Sequence, residues 1–350
     1  MAIVKNKILL VGLFVNPKNK GKIYRTASDQ LAEVLDMNGH PIIKTSTQVS
    51  RFWRAFDILF TILWKSPFYT IAILPYYGSG NAFIIENVSS KLLKLLGKKI
   101  ILVVHGGGLP NRLAKNEKKY SAILKRVHQV VCPSNYLKNE ILKYGIQSIV
   151  IENVVKLSDY SFISKQIFTP HLLWMRAFEP TYNPLMAIRV FALVKKKYPT
   201  ATLTMAGKDL GLLQQTKLLA QELHVDDAIV YRGYVFTEDK TKLAQKTDIY
   251  LCTNKIDNAP VTFIEMMAMG LPIVSVNVGG IPFIVSHEEN GLLVNYDDDA
   301  AMFNCIDAVI QNPALGIKIA QNGLTFSKQY DEKVVLSKWE VLFYKLSNQF

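Results

Sequence analysis

The sequence predicts an α/β protein made of two doubly wound parallel sheets in tandem. Three observations carry this expectation. Short Ile/Val-rich runs alternate with helical stretches, the pattern of a parallel sheet with crossover helices. The alternation stops near residues 160–170 and then restarts. The chain has 350 residues, 49% of them apolar and 11% aromatic. That is enough for two domains of about 150–200 residues, each with a core of its own.

The elements follow in order. Lys7–Val15 (KILLVGLFV) is a continuous apolar run, as in a parallel strand buried on both faces. A polar Pro/Gly loop follows over Asn16–Lys22, then a helix over Tyr24–Asn38 closed by Gly39. Strands are expected at Ile42–Lys44, Tyr69–Leu74, Lys99–Val104, Gln129–Cys132 and Ser148–Ile151, with helices at Ala82–Leu96 and Asn135–Lys143. After the junction the strands are His171–Met175, Ala201–Ala206, Ile229–Tyr231, Ile249–Cys252, Ile273–Val276 and Leu292–Val294. The helices between them are Leu185–Lys197, Gly211–Leu223, Lys240–Gln245 and Val261–Met269. A last helix, Glu332–Ser347, carries Val335, Trp339, Leu342 and Leu346 on one face. The expected domains are therefore 1–165 and 166–330, with 331–350 a helix that packs back on the first.

Charge separates the halves. Residues 1–165 hold 24 basic and 9 acidic residues, a net +15, whereas residues 166–350 hold 17 and 19, a net −2. A basic half points to a polyanionic partner: nucleic acid, an anionic membrane or a phosphate-bearing acceptor. A merely soluble basic surface is the other reading. Nucleic acid is disfavoured, because the basic residues lie among apolar helices instead of interleaving with stacking aromatics on a sheet. In Arg51–Lys65 (RFWRAFDILFTILWK) the polar residues Arg51, Arg54, Asp57, Thr61 and Lys65 fall on one narrow helical stripe. The remaining wide apolar arc is either deeply buried or dipped into a bilayer surface.

Cys132, Cys252 and Cys305 are odd in number, far apart and set in apolar runs. They read as buried free thiols in a reducing compartment. The first residues form a strand pattern without a small-residue cleavage site, so no signal peptide is expected. No run of about 18 uncharged apolar residues occurs, so no membrane span is expected. A Rossmann dehydrogenase is disfavoured by the lack of a Gly-x-Gly-x-x-Gly after the first strand.

The densest local signal is Asp257–Gly280 (DNAPVTFIEMMAMGLPIVSVNVGG). Pro260 suits the start of a helix, where its missing N–H costs nothing. The amides of Val261, Thr262 and Phe263 would then leave the helix N-terminus unpaired, an anion site suited to a diphosphate. Gly270 ends the helix and Pro272 blocks its continuation. An ordinary helix between two loops is the bland alternative. Two further places fit a ligand at strand ends: Arg176 after His171–Met175, and His105 in VHGGGLP after Lys99–Val104.

These residues resemble the nucleotide-sugar site of the retaining GT-B glycosyltransferases called group 1 or family 4. The matches are Glu265, Met267-Ala268, Gly270, Pro272 and Gly279-Gly280, continuing to Asn290-Gly291-Leu292-Leu293-Val294. The resemblance implies two Rossmann-like domains facing each other across a cleft. It implies that Glu265 accepts from the donor ribose hydroxyls and that Asp257 meets hydroxyls of the donor sugar. Asp257 stands where the family usually has Glu, and is one methylene shorter. Arg176 matches the family's diphosphate-binding Arg. Tyr182 and Asn183 stand at the family's Lys-Gly, so the Lys is missing, and Lys208 in the Gly207-Lys208-Asp209 loop is a candidate to replace its charge. His105 takes the place of the histidine that faces the donor sugar. Gly21, between Lys20 and Lys22, keeps one of two glycines with which related enzymes approach donor and acceptor, a solvated loop being the other reading.

The resemblance further implies same-face attack with retention of configuration. No Asp-x-Asp suggests a metal on the diphosphate, so no metal or cofactor is expected. The expected partners are a nucleotide-diphosphate sugar, a glycan or lipid-linked acceptor of surface polysaccharide synthesis and an anionic membrane. The expected location is the cytoplasm or the inner face of the plasma membrane. An inactive binding partner of the same fold and a nucleotide-sugar epimerase are the alternatives.

Overall fold

The computed structural model describes residues 7–16, 26–105 and 107–348. The chain divides into two compact units, Met1–Val154 with Glu332–Phe350, and Val155–Asp331.

In the first unit the elements run β1 (Ile8–Leu13), α1 (Ala27–Met37), β2 (Ile42–Ser46), α2 (Arg51–Trp64), β3 (Ile71–Tyr76), α3 (Gly80–Leu95), β4 (Lys99–Val104), α4 (Leu109–Lys115), α5 (Glu117–Leu124), β5 (Gln129–Cys132), α6 (Asn135–Leu142) and β6 (Ile149–Val150). All pairings are parallel and the strand order is β2-β1-β3-β4-β5-β6. Alternate residues of β1 enter opposite layers: Leu9 and Val11 join one buried cluster, Ile8 and Leu10 the other. β3 and β4 divide in the same way, which is why these runs are apolar without alternation. Thr26 caps α1 through a reciprocal pair with Asp29.

The second unit contains β7 (His171–Met175), α7 (Pro184–Lys197), β8 (Thr202–Ala206), α8 (Leu213–Glu222), β9 (Ile229–Arg232), α9 (Thr237–Lys246), β10 (Ile249–Cys252), α10 (Val261–Ala268), β11 (Ile273–Val276), β12 (Leu292–Val294), α11 (Asp299–Gln311) and α12 (Pro313–Ser327). Its order is β12-β11-β10-β7-β8-β9, again all parallel. The fold class is therefore the expected one: two Rossmann-like doubly wound sheets.

The first unit ends at Val154, short of the expected junction. Residues 155–170 are tied to the second sheet instead. Ile163 N–H donates to the Met269 carbonyl at 3.1 Å. Lys165 and Thr169 both bond the Asp248 carboxylate at the start of β10. The final helix, α13 (Glu332–Asn348), buries Val335, Trp339, Leu342, Phe343 and Leu346 against the first sheet.

One open alternative is decided and one expectation needs correction. Helix α2 is not a core helix: Ile58 and Ile62 are buried, but Phe52, Trp53, Phe56, Phe60, Leu63 and Trp64 are between 48% and 74% exposed. Its polar stripe turns partly inward, where Thr61 Oγ1 donates to the Thr45 carbonyl at 3.2 Å. Cys132 and Cys252 are buried free thiols as expected, but Cys305 is only partly buried. Among the described residues no helix is long and apolar enough to cross a membrane.

Candidate functional site

In the second unit the strand order reverses between β7 and β10. Open α/β sheets bind ligands at such a switch point, beyond the carboxyl ends of the strands. Arg176 follows β7 and Asp257 lies in the loop after β10, so the sheet alone brings them together. Arg176 Nη2 donates to Asp257 Oδ2 at 3.0 Å, and Nη1 to Thr262 Oγ1 at 3.0 Å. The guanidinium also lies over the Tyr182 ring, 5.5 Å from its centroid. Burial acts to lower the Arg176 pKa, but Asp257, with smaller contributions from Tyr250, Cys252 and Tyr182, raises it on balance and the guanidinium stays charged.

The loop that carries Asp257 is held from several sides. Asp257 also accepts from Asn254 Nδ2 and from the Asn258 amide, each at 2.8 Å. The Gly280 amide donates to the Asp257 carbonyl at 2.8 Å. A Cβ on Gly280 would lie 1.8 Å from the Asn258 carbonyl oxygen, and one on Gly279 2.3 Å from that of Asp257. The Gly-Gly pair thus serves backbone packing against the Asp257 loop. A Cβ on Gly207 would meet the Arg176 carbonyl oxygen at 1.8 Å, so β8 closes on the other side of the arginine. Two buried polar atoms at the site have no hydrogen-bond partner among the described residues: Arg176 Nε and Asn254 Oδ1.

Helix α10 begins at Val261 after Pro260, next to Arg176 through Thr262. The Phe263 amide does not point outward as expected. It donates to the Pro260 carbonyl at 2.9 Å because the first turn tightens, and its ring is buried. The amides of Val261 and Thr262 remain for an anion. One turn on, Glu265 is 4% exposed and fully engaged. Lys240 Nζ lies 2.7 Å from both carboxylate oxygens, and the Tyr160 hydroxyl donates to Oε1 at 2.8 Å.

Lys240 was not foreseen. It precedes Leu243 and Ala244, the buried residues of α9, by three and four positions. A lysine in the apolar register of an amphipathic helix is the signal that could have found it. Lys208 is exposed, and its carbonyl accepts the Phe178 amide at 2.8 Å. Tyr182 and Asn183 are fixed through their carbonyls, both of which accept from Thr253 Oγ1 at 2.9 Å.

His105 belongs to the first unit, directly after β4. Its amide donates to the Tyr76 carbonyl at 2.9 Å and its ring stacks on Tyr77 at 5.5 Å. Burial lowers its pKa to about 4, so the imidazole is neutral at neutral pH. Gly21 lies outside the described residues.

A family model described as glycosyl transferases group 1 matches residues 168–325. That match lies within the second unit. Similar proteins include an uncharacterized glycosyltransferase of Haemophilus influenzae, 24% identical over 66% of this chain. The amylovoran biosynthesis glycosyltransferase AmsK of Erwinia amylovora is 23% identical over 68% of this chain. The matched stretch spans 65% and 61% of the length of these two relatives. Among solved structures, Anabaena HepE in complex with UDP-glucose superposes with a TM-score of 0.74 at 14% identity, covering 97% of this chain and 100% of HepE. That likeness extends over both units and shows that the fold is GT-B.

Proposed function

We propose that the protein is a retaining glycosyltransferase that moves a sugar from a nucleoside-diphosphate donor to a membrane-associated glycan or lipid-linked acceptor at the cytoplasmic face, in surface polysaccharide synthesis. The observation that carries this reading is Arg176, held by Asp257 and Thr262 beside the start of α10 in a domain of this family. Departure of the nucleoside diphosphate builds negative charge on phosphate oxygens. A fixed guanidinium and two helix-terminal amides stabilise that charge without reorganising. In this reading they supply the positive charge with no metal.

Glu265 takes the ribose diol, for which its two oxygens have the acceptor capacity. Lys240 must then release at least one of them. Asp257 orients sugar hydroxyls, and neutral His105 contributes from the first unit. The departing phosphate takes the acceptor proton during same-face attack. Support for a UDP-sugar donor comes from the HepE complex, and for a polysaccharide role from the name of AmsK.

The test is nucleotide release from UDP- and GDP-sugars, with and without membrane extract, for the protein and for Glu265→Ala. Release that needs the extract and vanishes in the variant is expected. Nucleotide binding without release from any donor would overturn the transferase reading and favour an inactive binding partner.

A further inference from the structure

The first unit has a switch point of its own, between β1 and β3. A cavity of about 580 Å³ lies there, lined by Val11 and Leu13 from β1 and by Leu74 and Pro75 from β3. Helix α2 contributes Arg51, Arg54, Ala55 and Ile58 to its wall, and α3 contributes Ile85 and Glu86. The lining is mostly apolar, yet it carries two guanidinium groups one helical turn apart.

Neither arginine is paired with a carboxylate among the described residues. Arg54 Nη2 donates to the Val49 carbonyl at 2.8 Å, and its buried Nε has no partner. Burial and the charge of Arg51 both disfavour the Arg54 cation. Two unneutralised, mutually repelling cations on an apolar cavity fit a ligand with a compact anion on an apolar body. A phosphate matches the guanidinium fork.

The outer side of the same helix says where such a ligand resides. Phe52, Trp53, Phe56, Phe60 and Trp64 form a continuous row of ring contacts at 5.5–6.3 Å, all exposed. An aromatic-rich helical face with basic neighbours is the composition of an interfacial membrane helix. So α2 carries lipid-compatible surface outward and phosphate-compatible charge inward.

We infer that this cavity is the acceptor site, and that the acceptor is a phosphate-bearing lipid whose phosphate lies on Arg51 and Arg54. This rests on the transferase reading and names its acceptor class. Glu86, whose carboxylate is held by the Tyr77 and Gly78 amides at 2.8 and 3.1 Å, offers an acceptor to a hydroxyl of the head group. Tyr77 lines the cavity and stacks on His105, which links the site to the residue assigned to the donor sugar.

The test is calorimetric titration of the full chain with dodecyl phosphate below its micellar concentration, against dodecyl maltoside and inorganic phosphate. Saturable one-to-one binding of dodecyl phosphate is expected, at least tenfold tighter than either control. Arg54→Gln should weaken it about tenfold, and Ala55→Trp should abolish it by filling the cavity. Arg51 is exposed, so Arg51→Gln keeps the result readable if the other variants do not fold, with about fivefold weakening expected. Equal binding of dodecyl maltoside, equal binding of inorganic phosphate, or indifference to Arg51→Gln would each overturn the inference. Nucleotide release is read in parallel. Release without dodecyl phosphate binding overturns the acceptor site alone, and dodecyl phosphate binding without release overturns the transferase reading alone.

Discussion

The two switch points belong to doubly wound parallel sheets of different strand order and hold opposite electrostatics. In the second unit the reversal holds two ion pairs, Arg176 with Asp257 and Lys240 with Glu265. In the first unit, Arg51 and Arg54 line an apolar cavity without an acidic partner among the described residues. A matched site is preorganised, because its charges are fixed before the ligand arrives. An unmatched one relies on the ligand for neutralisation and so discriminates strongly for an anion. In the proposed reading, one chain holds a diphosphate with ready-made dipoles on one sheet and recruits a lipid phosphate on the other.

The comparison breaks most directly at Arg176. Arg176→Ala is expected to reduce turnover about a thousandfold, the scale of losing one preorganised charge stabiliser. It also leaves Asp257 poorly matched. Steady-state nucleotide release with saturating donor measures this, and a loss below tenfold would remove Arg176 from the site.

The next effect is at Lys240. Lys240→Met removes the cation from a carboxylate that is 4% exposed. Stability should fall by about 3 kcal/mol, as when one partner of a buried pair is deleted. Nucleotide affinity should rise several-fold in the same variant, because Lys240 and the ribose compete for Glu265. Weaker nucleotide binding would instead make Lys240 a contact to the donor.

Glu86 and Asp248 sharpen the contrast through pH. Burial raises the Glu86 carboxyl to about 7, more than its two backbone amides and Arg112 lower it. Its contribution to stability is present in full below the unfolded value near 4.5 and is lost as pH rises through about 7. Glu86→Gln should therefore stabilise the protein by about 2 kcal/mol at pH 8 and hardly at all at pH 4. Asp248 has the opposite sign. Burial alone would raise it, but hydrogen bonds from Lys165 and Thr169 lower it below the usual carboxylate range. Its stabilisation is present at neutral pH and lost as pH falls through the lowered value. Denaturant unfolding at several pH values separates the two, and a Glu86→Gln effect independent of pH would contradict the assignment.

What was legible in the sequence was local or periodic. The buried strands show as unbroken apolar runs, and the start and end of α10 show as Pro260 and Gly270. Arg176, Asp257 and Glu265 could be named because they stand at motif positions of the family that the sequence resembles. What was illegible depends on strand order. Nothing local in Arg51 and Arg54 shows that β3 pairs with β1 and places them at a cavity. Glu86, directly after the run Phe83–Ile85 of α3, reads as an isolated charge until the Tyr77 and Gly78 amides are seen to reach it. The direction of α2 was also undetermined, since its apolar arc is wide enough to pack or to face outward.

That direction gives the last and smallest effect. Trp53 and Phe56 are 57% and 59% exposed, so Trp53→Ser with Phe56→Ser should change folding stability by no more than about 0.5 kcal/mol. Immersing an aromatic side chain gains about 1.5–3 kcal/mol when complete and less when partial. Partition of the double variant into vesicles of mixed phosphatidylglycerol and phosphatidylcholine should fall about tenfold, read by cosedimentation. Basic residues near an anionic leaflet add about 1 kcal/mol each, and salt screens them within about 10 Å. The native protein should therefore lose affinity in 0.5 M salt while the aromatic contribution persists. Unaltered partition of the double variant would assign the outward face of α2 to a protein partner and would leave the two switch points to be compared on charge alone.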